Sequence, residues 1–130
     1  MKKLHVRTPS HECMVDITAQ VQSAVSEAGI TEGICHLFVL HTTAALAINE
    51  NADPTVRTDI LNALAKVVPW QDDYDHAEGN SAAHIKASLF GQDHSVIVES
   101  GKIQLGTWQG IFLAEFDGPR TRQVLLKVVS

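Results

Sequence analysis

The sequence predicts an α+β fold: a single domain over residues 1–130 with a mainly antiparallel sheet and about three helices. Three observations carry that prediction. Helical and strand-like segments are mixed in the first two thirds without a regular βαβ alternation. From Ser95 onward the chain reads as strands alone, separated by the turn signals Ser100-Gly101, Gly106 and Asp117-Gly118-Pro119. A length of 130 residues, with 45% apolar and 19% charged side chains, suits one folded core and argues against disorder.

The elements follow in order. Residues Lys3–Arg7 alternate polar and apolar, as an opening strand does. Ile17, Val21, Ala24, Val25 and Ala28 recur at helical spacing, with Asp16 or Thr18 as N-cap and Gly29 as the stop. Gly33–Leu40 is a β-branched and aromatic run, and a short strand around Ala45–Ile48 follows the His41-Thr42-Thr43 corner. Asp53-Pro54 opens a second helix with Val56, Ile60, Leu64 and Val67 on one face, ended by Pro69. Residues 70–80 form a long polar loop, which in a compact domain usually serves function. Ser81 is the expected cap of a third helix running to about Phe90, stopped by Gly91. The expected final strands are Val96–Glu99, Ile103–Leu105, Gly110–Phe116 and Gln123–Val129.

Composition excludes several classes of function. A net charge of −5 with dispersed basic residues disfavours nucleic acid as a partner. No apolar run approaches the roughly 20 residues that span a membrane, and Met1–His5 is followed by no apolar stretch of a signal peptide. The expected location is cytoplasmic, with Cys13 and Cys35 reduced.

Three polar groupings could carry chemistry. His41, His76 and His84 lie in polar settings at the ends of apolar segments, and together they would make a three-imidazole centre for a divalent metal with one position open. His41 shares a strand face with Leu37 and Val39; its plainer role is a histidine satisfied by the backbone. With Ser81 as cap, His84 stands in the first helical turn, where the helix dipole favours the neutral ring that a metal needs. Asp75 and Glu78 could fix which ring nitrogen faces it. The plainer role of His76 is that of a solvated loop residue.

The second grouping is Asn49-Glu50-Asn51-Ala52-Asp53-Pro54. Asp53 has a sufficient role as helix cap, while Glu50 and Asn51 are the catalytic candidates, with Glu50 as general base or fourth ligand. A plain surface glutamate is the alternative. The third is Gly106-Thr107-Trp108-Gln109-Gly110, a tight connection whose free amides could meet an anion or a second subunit. Trp108 reads by itself as core or interface. Arg120, in the turn after Gly118-Pro119, could clamp a phosphate or carboxylate.

The runs His41-Thr42-Thr43-Ala44-Ala45-Leu46, Asn49-Glu50-Asn51-x-Asp53-Pro54, Ala83-His84-Ile85-Lys86-Ala87-Ser88 and Leu105-Gly106-Thr107-Trp108-Gln109-Gly110-Ile111 resemble the YjbQ-like family, UPF0047. Members are often labelled secondary thiamine-phosphate synthase enzymes. The resemblance implies a homotrimer of compact α+β subunits and a histidine-lined site able to take a metal. Its polar positions would be His41, Glu50, His76 and His84; Thr107, Trp108 and Gln109 would wall the site, and Arg120 would bind substrate.

Three functions follow as expectations. One is an enzyme of thiamine phosphate formation, whose diphosphate leaving group calls for Mg²⁺ and basic side chains. Imidazoles suit zinc-like metals better than Mg²⁺. That favours a second reading, a metal-assisted hydrolase or lyase of a small phosphorylated metabolite. The third is a non-catalytic metal-binding trimer.

Overall fold

The alternation of apolar residues in the strands sorts them into two sheets that share one core. The computed structural model describes residues 1–130. In chain order its elements are β1 (Lys2–Arg7), β2 (Cys13–Asp16), α1 (Thr18–Ala28), β3 (Gly33–Val39), β4 (Ala44–Glu50), α2 (Pro54–Val67), α3 (Ser81–Phe90), β5 (Asp93–Glu99), β6 (Lys102–Ile103), β7 (Gln109–Glu115) and β8 (Thr121–Val129). A five-stranded sheet has the order β1-β8-β3-β5-β6, and a three-stranded sheet the order β2-β7-β4. Every pairing is antiparallel. The α+β architecture and the three helices are as expected from sequence.

The inner faces of the two sheets meet in the main core. Leu4 and Val6 of β1, Cys35, Leu37 and Val39 of β3, and Val124 and Leu126 of β8 pack there against Leu46, Ile111 and Leu113 of the smaller sheet. Helix α1 adds Val21, Ala24 and Val25. The other face of the small sheet carries Ala45, Phe112, Ala114 and Phe116, which α3 covers with Ala83 and Ala87. Helix α2 adds Ile60, Leu61 and Leu64. Strand β7 is therefore covered on both faces, which explains its unbroken apolar run from Gly110 to Ala114.

Several boundaries differ from the expectation for physical reasons. Strand β2 was not expected: four residues flanked by polar positions are too short to show an alternation, and its pairing with β7 supplies the order. The N-cap of α1 is Ile17, with Asp16 one residue upstream accepting from the Thr18 amide at 2.9 Å. The cap of α3 is Asn80 rather than Ser81, so His84 stands one position deeper, its amide facing the Asn80 carbonyl at 3.4 Å. Asp53 caps α2 as expected, accepting from Thr55 N at 3.0 Å. Val67 lies off the packed face of α2 and is 74% exposed.

One end of the sandwich is polar inside. Glu115 continues the Ile111–Leu113 face of β7, and Arg122 continues the Val124–Leu126 face of β8, so register alone places both charges in the interior. The Arg122 Nε donates to Glu115 Oε1 at 2.8 Å and a second guanidinium nitrogen donates to Oε2. Thr8 Oγ1 and the Asp117 amide also donate to the carboxylate, at 2.8 and 2.9 Å. Arg122 donates as well to Thr43 Oγ1 at 2.9 Å. Both charges are sealed from solvent, and the hydrogen bonds satisfy the carboxylate on both oxygens.

No helix is long and apolar enough to cross a membrane. Cys13 and Cys35 are unpaired. Burial pushes the Cys35 thiol up to about 11.

Candidate functional site

The loop between α2 and α3 returns over the start of α3 and sets His76 against His84. Their rings stand edge to face, with centroids 5.4 Å apart and planes at 89°. Two anchors fix the loop. Tyr74 donates its hydroxyl to the Pro69 carbonyl at 2.6 Å, and the Gly79 amide donates back to the His76 carbonyl at 3.2 Å. Its far end is held by buried Asn80, whose Nδ2 donates to Glu78 Oε2 at 3.1 Å and Asp117 Oδ2 at 2.9 Å. Glu78 is thereby turned to Asn80, while Asp75, with Asp73 and Ser81, lines an open cleft of about 500 Å³ around the two rings.

His41 does not join them. No three His, Cys, Asp or Glu side chains anywhere in the chain come close enough to hold a metal together, so the expected three-imidazole centre is not assembled within one chain. The physical reason is topology. His41 sits in the corner between the two sheets, where its Nε2 accepts the Gln123 amide of β8 at 2.8 Å. Burial, together with the charges of Arg122 and Arg120, pulls its pKa below the usual imidazole range against the opposing pull of Glu115.

Glu50 ends β4 and Asn51 follows it, beside the turn that precedes β7. The Asn51 amide donates to the Trp108 carbonyl at 3.0 Å, and its side chain donates to Asp16 Oδ2 at 3.3 Å. Burial works against ionisation of Asp16, but bonds from Thr18 and Asn51 and the charge of Arg57 outweigh it and lower its pKa. Gly110 is required here, because a Cβ would lie 2.5 Å from Asn51 Nδ2. No hydrogen bond or ion pair links Glu50 or Asn51 to the His76–His84 cleft.

The amides of the Gly106–Gly110 turn are less free than expected. Gly106 N donates to Gln109 Oε1 at 2.8 Å, and Gln109 N donates to the Gly106 carbonyl at 3.1 Å, so Gln109 closes its own turn. Thr107 and Trp108 project outward, Trp108 being 63% exposed. Arg120 is also engaged: its Nε donates to the Asp117 carbonyl at 2.7 Å, with a second nitrogen 3.3 Å from Asp117 Oδ2.

Sequence reasoning passed over the Glu115–Arg122 pair. The signal was an acid inside an otherwise apolar strand, with a base seven residues on. It also passed over Lys86, which is sealed under α3 with its Nζ donating to Glu12 at 2.7 Å. Its signal was a lysine among the alanines of a helix face.

A small α+β sandwich with an open two-histidine cleft defines the class, and whole-chain comparison gives the family. The chain belongs to the family described as UPF0047 protein YjbQ-like, matched over residues 2–130. It is 50% identical to the UPF0047 protein MJ1081 of Methanocaldococcus jannaschii over 128 residues, 98% of this chain and 93% of the relative. It is 48% identical to the UPF0047 protein YugU of Bacillus subtilis over 131 residues, 100% and 99% of the two chains. The fold matches an uncharacterised YjbQ/UPF0047 family protein of Clostridium acetobutylicum with a TM-score of 0.97 at 50% identity, covering 99% and 100% of the two chains. The conserved hypothetical protein TT1486 of Thermus thermophilus gives a TM-score of 0.93 at 46% identity, covering 99% and 100%.

Proposed function

We propose that this YjbQ-like protein is a metal-binding enzyme that acts on a small phosphorylated metabolite through the His76–His84 cleft. The observation that carries the reading is the perpendicular imidazole pair, centroids 5.4 Å apart, facing an open cleft. A ring whose nitrogen lies about 2.0–2.1 Å from zinc has its centroid about 3.2 Å from the ion, so two such rings at a tetrahedral angle stand about 5.2 Å apart. The observed separation fits two rings that share one ion. Imidazoles favour a zinc-like metal, whereas Mg²⁺ would engage Asp73, Asp75 or a substrate phosphate. Bound there with open positions, a divalent ion would polarise a phosphoryl oxygen or acidify a water. The chain's own part is to hold one ring on a helix and the other on an anchored loop, with carboxylates in the same cleft.

Two edge-to-face rings at this distance also form an ordinary aromatic contact. Calorimetric titration with Zn²⁺ separates the alternatives. One site per chain is expected in the wild type and none in His76→Ala; absence of a site in the wild type would defeat the reading.

Assembly as a homotrimer is part of the proposal. On the outer face of the large sheet Ile34 is in register with both Ile97 and Val129, and Phe38 with Leu125. Ile97 is 60% exposed, so this apolar row calls for a cover. Trp108 offers a second exposed anchor. In such an assembly the β4–β7 end of one copy, with Glu50, Asn51, Thr107, Trp108 and Gln109, would complete the cleft of the next, whereas Arg120, at the opposite end of β7, stands outside that group. Light scattering should return three times the 14.1 kDa chain mass. A monomer would contradict a shared site. A reducing, cytoplasmic setting also belongs to the reading and is supported by the two free thiols.

Thiamine phosphate formation is the finer form of this proposal, favoured by the oxygen donors Asp73 and Asp75 beside the rings. Rescue of a thiamine auxotroph by the wild type and not by His84→Ala would assign it. Equal rescue by both, or by neither, would remove it.

A further inference from the structure

The His41 ring finishes a β ladder. Val39 of β3 is in register with Val124 of β8, and in the next pair the Leu40 amide donates to the Gln123 carbonyl at 3.2 Å. The return bond of such a pair would run from the Gln123 amide to the Leu40 carbonyl. Here that amide donates instead to His41 Nε2, at 2.8 Å.

This bond decides the chemistry of the ring. An amide N–H only donates, so Nε2 must turn a lone pair toward it, and in the neutral ring the proton then resides on Nδ1. A protonated nitrogen has no lone pair for a metal, and the other lone pair is taken. Neither nitrogen of His41 is free to ligate. Nδ1 has no protein partner and is not sealed from solvent, since the one sealed and unpaired side-chain polar atom in the chain is Asn80 Oδ1.

The neighbourhood is basic on balance, the charges of Arg122 and Arg120 outweighing that of Glu115 at the ring, although Arg120 is also paired with Asp117. A cavity of about 290 Å³ beside the same end of β8 is lined by Arg7, Thr8, Pro119, Arg120 and Thr121, with no carboxylate in its wall. Arg120 lies near enough for its charge to act on the His41 ring. We infer that His41 is a fixed-tautomer hydrogen-bond donor that presents Nδ1–H to an oxyanion, such as the phosphate group of a ligand, at the basic β1–β8 end of the protein. This assignment needs no metal and stands apart from the His76–His84 reading. It replaces the expected role of His41 as a metal ligand.

Nitrogen-15 NMR of the full-length protein near neutral pH should show His41 protonated at Nδ1 and not at Nε2. Inorganic phosphate is the probe, and its addition should shift the Nδ1–H resonance saturably. In His41→Gln, the amide oxygen can still accept from Gln123, so the ladder cap survives while the Nδ1 donor is lost. Phosphate affinity should then fall about tenfold, the size of one charge-assisted hydrogen bond. A proton on Nε2, no saturable shift, unchanged phosphate affinity in His41→Gln, or loss of a bound Zn²⁺ in that variant would each overturn the assignment. The tautomer measurement uses only the wild type and decides the question even if the variant does not fold.

Discussion

Glu115→Ala should destabilise the fold by about 3–5 kcal/mol, the cost of removing one partner of a buried ion pair. The variant strands the Arg122 guanidinium at 3% exposure with only Thr43 left to accept from it. It also leaves the Thr8 hydroxyl and the Asp117 amide without the carboxylate they donate to. Urea unfolding measures the loss. Replacing both charges at once, Glu115→Met with Arg122→Leu, should recover most of it, because an apolar pair of similar size avoids desolvating two ions. The pair also sets an acid limit. Burial raises the Glu115 pKa, but bonds from Arg122, Asp117 and Thr8 overcome that and hold it below the usual range. Its stabilising contribution is thus complete above the unfolded value of about 4.3 and lost as pH falls through the lower folded value. His41 adds loss in the same direction, since its lowered folded pKa makes protonation below about 6.5 cost stability. Stability should therefore decline from about pH 6.5 downward, with the Glu115 part absent in the double variant.

His84→Ala should abolish tight Zn²⁺ binding while leaving the fold intact. The ring stands on α3 over an open cleft, half-buried and outside both hydrophobic clusters, so its removal creates no core cavity. His76→Ala should do the same, because each variant leaves one imidazole where the proposed site has two. The expected loss of affinity is at least about 100-fold, beyond the 10- to 100-fold typical of losing an outer hydrogen-bond partner. Matching circular dichroism and thermal unfolding of the metal-free proteins would separate lost binding from lost structure.

The order of elements was legible because each carries a period and a stop. Gly29 takes the left-handed conformation that ends α1, Asp53-Pro54 opens α2, and the spacing of apolar residues identifies the long strands. The inner and outer faces of β3 were also readable, since Cys35, Leu37 and Val39 alternate with Ile34, His36 and Phe38. What a single strand cannot announce is its partner. His41 was visible as a polar residue at a strand end, yet the amide it caps lies 82 residues away on β8. Its meeting with His76 and His84 was expected from residue type and from the family resemblance, and within one chain the corner between the sheets keeps it from them. Local spacing did carry the His76–His84 half, because eight residues with a loop and one helical turn bring the rings together. Glu115 and Arg122 were hidden for the opposite reason. Each looks like an ordinary charge in a strand until register turns both toward the interior.

The measurement that tests the central proposal most directly is elemental analysis of protein purified without chelator or affinity tag, with His76→Ala and His84→Ala alongside. The expected result is one zinc-like ion per chain in the wild type and none in either folded variant. A metal-free wild type that also fails to take up added Zn²⁺, or a metal content unchanged in both variants, would contradict the proposed metal site.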